Sequence, residues 1–153
     1  MKTLVPLTPT IEYSNKKVRL IDQTYLPIEE KYIITDDYKD VCAAIYRLSI
    51  RGAPAIGVAG AYASVLVSDS IDTNDKKSFL DQFLSKTNEI ANTRPTAINL
   101  RWAIKKMQQK AENFDGKVVE LKLELLELAH EIKNDDINRC HNLCLNGSDL
   151  ISD

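Results

Sequence analysis

The sequence predicts an α+β domain in which helices dominate. Two observations carry that expectation. Apolar residues alternate along the first 35 positions, then recur at three- and four-residue spacing to the end of the chain. The change of period happens once, so strands come first and helices later. A βαβ nucleotide fold would interleave them.

Thr10-Ile11-Glu12-Tyr13 and Val18-Arg19-Leu20-Ile21 flank the polar stretch Ser14-Asn15-Lys16-Lys17, which predicts a hairpin. Lys31-Tyr32-Ile33-Ile34, after Pro27, predicts a third strand. From Asp36 the period becomes helical: Val41, Ile45 and Leu48 stand at i, i+4 and i+7, with Thr35 or Asp36 as candidate N-cap. The longest uncharged run, Gly52 to Ser68, is rich in Ala and Gly and falls short of the ~20 residues that span a bilayer. It predicts a buried helix starting near Pro54.

After the polar break at 69–77, with Asn74 as a possible cap, Phe79, Leu80, Phe83, Leu84, Thr87, Ile90 and Ala91 form one helical face ending near Thr93. Leu100, Ile104, Met107 and Ala111 mark the next helix, stopped by Asn113 to Gly116. Val118, Leu121, Leu125, Leu128, Ala129 and Ile132 mark another, with Glu120, Glu124, Glu127 and Glu131 on its wet side. A last helix is expected from Asp135 to about Leu145, broken by Asn146-Gly147. The expected whole is a small three-stranded antiparallel sheet within residues 1–35 and about six helices within 36–153, without repeat or linker.

At 153 residues, 44% hydrophobic and 27% charged, the composition is that of an ordinary globular domain. A net charge of −2 argues against a broad phosphate-neutralising face for nucleic acid. That charge is unevenly spread. Residues 1–110 carry 16 Lys+Arg against 12 Asp+Glu, whereas residues 111–153 carry 4 against 10. An anionic ligand should therefore meet the first two-thirds. The three cysteines, Cys42, Cys140 and Cys144, are an odd number in a chain large enough not to need staples, which fits a reducing, cytoplasmic setting. The start, Met1-Lys2-Thr3-Leu4-Val5-Pro6, has no apolar stretch of secretory length. Neither a membrane nor a nucleic acid is an expected partner.

The most informative stretch is Arg51-Gly52-Ala53-Pro54-Ala55-Ile56-Gly57. Proline suits a first helical turn because its missing N–H would have had no partner there. A helix starting near Pro54 leaves free amides at its positive end. Gly52 lets the chain turn and a ligand approach the backbone, and Arg51 adds a planar fork of donors suited to phosphate. Thr93-Arg94-Pro95-Thr96 repeats the theme before the Leu100 helix. The bland reading is solvated or carboxylate-paired arginines with prolines as helix punctuation. Two Arg-Pro junctions in one domain argue instead for one anion held from two sides.

Three strings carry a resemblance. Val18-Arg19-Leu20-Ile21-Asp22-Gln23-Thr24, then Ile50 to Ala59, then Thr93-Arg94-Pro95-Thr96-Ala97-Ile98-Asn99-Leu100-Arg101-Trp102-Ala103-Ile104 resemble methylthioribose-1-phosphate isomerases, a branch of the initiation factor 2B-related superfamily. The likeness runs along nearly the whole chain and fades after Gly116. It implies an N-terminal domain of small antiparallel sheet and helices. The implied activity is conversion of 5-methylthioribose 1-phosphate to 5-methylthioribulose 1-phosphate in methionine salvage, with no cofactor. Carried over, the family's substrate-binding residues fall on Arg51, Gly52, Ala53 and Arg94.

The resemblance also implies a second, Rossmann-like domain with a catalytic cysteine in a T-H-C-N-A-G-like loop and a later aspartate. Neither is among these 153 residues, so no catalytic residue is assigned. The reading is a truncated or split N-terminal part, with a second chain as possible carrier of the catalytic domain. Cys144-Leu145-Asn146-Gly147 lacks the loop pattern. Cys140, His141 and Cys144 lack a second matching pair for a metal, so buried helix cysteines are expected there, and His130 is expected as a partly exposed helix residue. Two alternatives stay open: a ribose-1,5-bisphosphate isomerase relative, or a non-catalytic assembly module like the regulatory subunits of initiation factor 2B.

Overall fold

The computed structural model describes residues 9–148. Strands β1 (Ile11–Ser14), β2 (Lys17–Ile21) and β3 (Tyr32–Thr35) form an antiparallel sheet in sequence order. Asn15 and Lys16 make the first turn at φ of 50° and 60°, the left-handed pair that matches the twist of a tight hairpin. Along β2, Val18 and Leu20 point into the core while Arg19 lies on the other face. There it meets Glu12 at 2.8 Å and covers the Tyr32 ring.

Five helices follow among the described residues: α1 (Tyr38–Tyr46), α2 (Ala53–Ser70), α3 (Lys76–Thr93), α4 (Ile98–Asn113) and α5 (Val118–Ser148). The α+β class holds; the helix count is five rather than six. The two stripes expected to form separate helices at the end are one helix of 31 residues. Lys133-Asn134-Asp135-Asp136 does not interrupt it, and neither does Asn146-Gly147. Asn and Asp prefer caps and turns only when a competing backbone arrangement is offered, and no packed element offers one here.

Burial along α5 ends at Ile132. Cys140 and Cys144 are therefore exposed, not buried, and Cys42 is half-buried. The caps also move. Asp37, not Thr35 or Asp36, caps α1 by accepting from Lys39 N, and Asp75, not Asn74, caps α3. Leu48 does not extend the α1 stripe. It sits past the helix end at φ 65° and is 41% exposed.

Helix α2 is the axis of the fold. Ile56 through Ser68 are all buried, as the uncharged run predicts, and α1, α3, α4, α5 and the sheet pack around it. No described helix is long and apolar enough to cross a membrane. Polar side chains also join α2 to its neighbours, Lys86 on α3 among them through Ser70 Oγ at 3.3 Å. Tyr62, fully buried, shares a 2.9 Å hydrogen bond with Nδ1 of half-buried His130 on α5, and Tyr13 on β1 donates to Asp69 Oδ2 at 2.7 Å. Burial, with the Glu12 charge behind it, pushes the Tyr62 hydroxyl up to about 12. That phenol keeps its proton at neutral pH.

Candidate functional site

Helices α2 and α4 begin at the same end of the molecule. A Cβ built on Gly57 would lie 3.1 Å from the Asn99 carbonyl oxygen. One built on Gly60 would lie 2.5 Å from Leu100 Cδ1 and 3.6 Å from Ile104 Cδ1. As α2 advances from 57 to 60, α4 advances from 99 towards 104, so the two run alongside from adjacent starts. The small-residue surface of α2 has a packing purpose: it brings two backbones close. Glycine costs about 1 kcal/mol of helix propensity per position, and this contact is what offsets it.

Arg51 and Gly52 occupy the turn leading into α2. Arg51, Gly52, Ala53 and Pro54 are exposed, whereas Ile50 just before them is fully buried. Gly52 has φ 93° and ψ 127°, a conformation that L side chains rarely adopt. Its carbonyl accepts the first helical bond, from Ile56 N at 3.0 Å. Arg94 closes α3 rather than opening α4 directly. It is half-buried, and its carbonyl accepts from Ala97 N at 3.0 Å across the Pro95-Thr96 turn. Pro95 thus lies in the connection, outside the first helical turn where Pro54 lies.

The starts of α2 and α4 share a feature that the other helices lack. Neither has a side-chain cap; like α3, neither has an acidic residue in its first turn. By contrast Asp37 and Asp75 cap α1 and α3, and Glu120 Oε2 accepts from Lys117 N at the start of α5. Unsatisfied amides and the positive end of the helix dipole therefore stand bare at two neighbouring places, each with an arginine within four residues. Asp22, just after β2, is occupied locally. It accepts from Thr24 N at 3.1 Å and Thr24 Oγ1 at 2.6 Å. Although burial pushes the other way, these bonds, Ser49 and the Arg47 charge hold its carboxyl below the usual range.

The sequence motif left Gln23 without a role, and the structure gives it one. Its Nε2 donates to the Arg51 carbonyl at 3.3 Å, and its own carbonyl accepts from Arg51 Nη2 at 3.2 Å. Only the fold could reveal this, because 28 residues separate the partners. On the outer side of α4's first two turns, Ile98 is 81% and Trp102 46% exposed. Hollows of about 400 and 320 Å³ lie elsewhere, one beside Lys106 to Asp115 and one between Asp36 and Lys86, and neither includes Arg51 or Arg94. Among the described residues no group of three or more His, Cys, Asp and Glu side chains is placed to hold a metal ion.

Residues 49–153 match the profile of the Initiation factor 2 subunit family. The methylthioribose-1-phosphate isomerase of Desulforamulus reducens is 40% identical over 142 residues, covering 92% of this chain and 41% of that protein. That of Pelotomaculum thermopropionicum is 45% identical over 138 residues, covering 88% of this chain and 37% of that protein. The crystal structure of 5-methylthioribose 1-phosphate isomerase from Pyrococcus horikoshii superposes with a TM-score of 0.81 at 36% identity, over 86% of this chain and 37% of that one. Translation initiation factor eIF-2B subunit delta from A. fulgidus gives 0.77 at 32% identity, over 84% and 37%. The chain thus spans about 40% of the length of the curated relatives it matches.

Proposed function

The chain belongs to the Initiation factor 2 subunit family, and from that premise we propose that it is the phosphosugar-binding part of a methylthioribose-1-phosphate isomerase acting in cytoplasmic methionine salvage. Arg51 and Arg94 hold the phosphate, and the amides of Gly52 and Ala53 face it from the bare start of α2. One observation carries the reading: the starts of α2 and α4 are adjacent, uncapped and free of acids, with an arginine at each. The relatives named as isomerases of this substrate support it.

The aldose's C1 is blocked by phosphate, so hydrogen must move between C2 and C1 through a positioned acid or base. These 153 residues supply binding and orientation, and the cysteine loop and aspartate that the resemblance implies lie outside them. A second chain carrying those groups would complete the site. Cys140 and Cys144 sit on the exposed end of α5, whereas the half-buried thiol of Cys42 on α1 is hydrogen-bonded to Thr93, next to Arg94.

The test is a calorimetric titration of the chain with 5-methylthioribose 1-phosphate. Each charge-assisted phosphate contact is worth about 1.5–3 kcal/mol, so Arg51→Ala and Arg94→Ala should each weaken binding by about tenfold or more. Unchanged dissociation constants in both folded variants would overturn the reading. No turnover is expected from these residues alone. The likeness to eIF-2B subunit delta supports a second reading, a non-catalytic assembly module. That reading expects no sugar phosphate affinity at all, so the same titration separates the two.

A further inference from the structure

We infer that Gln23 is the positioning residue for Arg51, fixing both the peptide that follows it and its guanidinium before any anion arrives. The inference rests on the phosphate grip proposed above. Three polar groups of Gln23 go to one short segment. Its N–H donates to the Ser49 carbonyl at 2.8 Å, its Nε2 donates to the Arg51 carbonyl at 3.3 Å, and its carbonyl accepts from Arg51 Nη2 at 3.2 Å. The segment has a rigid wall behind it, since Ser49 is 3% exposed and Ile50 fully buried. Gln23 is itself held by the turn around it, where Asp22 Oδ1 takes both the N–H and the hydroxyl of Thr24.

Each bond does something different. A trans peptide points its carbonyl and the next N–H in opposite directions. With the Arg51 carbonyl turned to Gln23 Nε2, the Gly52 N–H points away from Gln23, on the open side of the turn. Gly52 at φ 93° lacks the Cβ that would otherwise hold that peptide plane, so the amide side chain of Gln23 is what stops it flipping. The bond from Nη2 acts on the side chain. Arg51 is exposed, and an unrestrained arginine loses much rotamer freedom when it binds. Tying one nitrogen to Gln23 removes part of that freedom beforehand and leaves the remaining donors for an anion.

The experiment is a double-mutant cycle on the 153-residue chain, titrated with 5-methylthioribose 1-phosphate and, in parallel, inorganic phosphate. Gln23→Ala should weaken binding about three- to tenfold, the range expected for losing one neutral hydrogen bond. Gln23→Glu should weaken it further, because a carboxylate cannot donate to the Arg51 carbonyl and draws the guanidinium to itself. The loss from Gln23→Ala should persist in an Arg51→Ala background, because Nε2 donates to the backbone carbonyl of residue 51, which that substitution keeps. A Gln23→Ala constant within twofold of the parent while Arg51→Ala binds weakly would overturn the positioning role, as would a loss that vanishes in the Arg51→Ala background. If Gln23→Ala fails to fold, Gln23→Asn, which keeps the polarity but falls short of the Arg51 carbonyl, gives the same discrimination. Binding unaffected by Arg51→Ala itself would strike at the phosphate grip, a failure distinct from that of Gln23.

Discussion

Helices in this protein begin in two ways. At α1, α3 and α5 a carboxylate from the chain satisfies an orphan amide: Asp37, Asp75 and Glu120. At α2 and α4 no side chain does, no acid stands in the first turn, and Arg51 and Arg94 stand nearby. A cap is worth about 1 kcal/mol. Forgoing it at one helix would be unremarkable; forgoing it at two helices that pack together within their first two turns is a pattern. Capped ends are finished by the fold, and bare ends leave their amides to something that arrives with negative charge.

The contrast depends on the two bare ends being adjacent, so the largest effect comes from prising them apart. Gly57→Val puts branched carbons where a single Cβ would already lie 3.1 Å from the Asn99 carbonyl oxygen. That oxygen belongs to the α4 backbone and cannot rotate away. Overpacking of this kind costs about 1–3 kcal/mol, measurable by urea unfolding, and it should displace the start of α4 from that of α2. Affinity for 5-methylthioribose 1-phosphate should then fall although both arginines remain. A destabilised variant with unchanged affinity would show that the two ends bind independently.

Parts of this contrast were legible in the sequence. Pro54 after Gly52 marks a helix start, and the uncharged run marks the buried axis, because each is a local choice that burial reinforces. The hairpin is legible for the same reason, in Asn15-Lys16 between alternating strands. Three things were not. Asp37 and Asp75 stand one or two residues beyond the expected caps, since Thr35, Asp36 and Asn74 are equally good acceptors and only backbone direction selects among them. The long α5 was read as two helices, because four polar residues after Ile132 look like a break until nothing is found packed against them. The links Gln23–Arg51 and Tyr62–His130 join residues 28 and 68 positions apart, and no spacing rule reaches that far. Within the site, residue types at the helix starts were readable; what positions them was not.

A capped end should respond to mutation in the opposite sense from a bare one. Asp75→Ala removes the carboxylate that accepts from Ser78 N at 2.8 Å, at a helix start remote in sequence from both arginines. The expected loss is about 1 kcal/mol of stability, seen as a lower urea midpoint at unchanged slope. Phosphosugar affinity should stay within twofold. A large change in affinity would mean that α3, which ends at Arg94, transmits its fraying along its whole length.

The most discriminating variant converts a bare end into a capped one. Ala97 is the N-cap residue of α4, with φ −80° and ψ 93°, a backbone already suited to a capping side chain. Ala97→Asp supplies an acceptor for the first-turn amides and a negative charge at the positive end of the helix. Both should raise stability, together by about 0.5–1.5 kcal/mol. The same charge would stand where the proposed phosphate is held, and Arg94, whose carbonyl is 3.0 Å from Ala97 N, would gain a carboxylate neighbour. Affinity for 5-methylthioribose 1-phosphate should therefore drop, and raising the salt concentration should recover part of the loss. Ala97→Ser separates cap from charge: it should keep most of the stability gain with little electrostatic penalty on binding. A gain in stability from both variants with no loss of affinity in either would mean that the amides of α4 are spare, leaving α2 to hold the anion with the arginines alone.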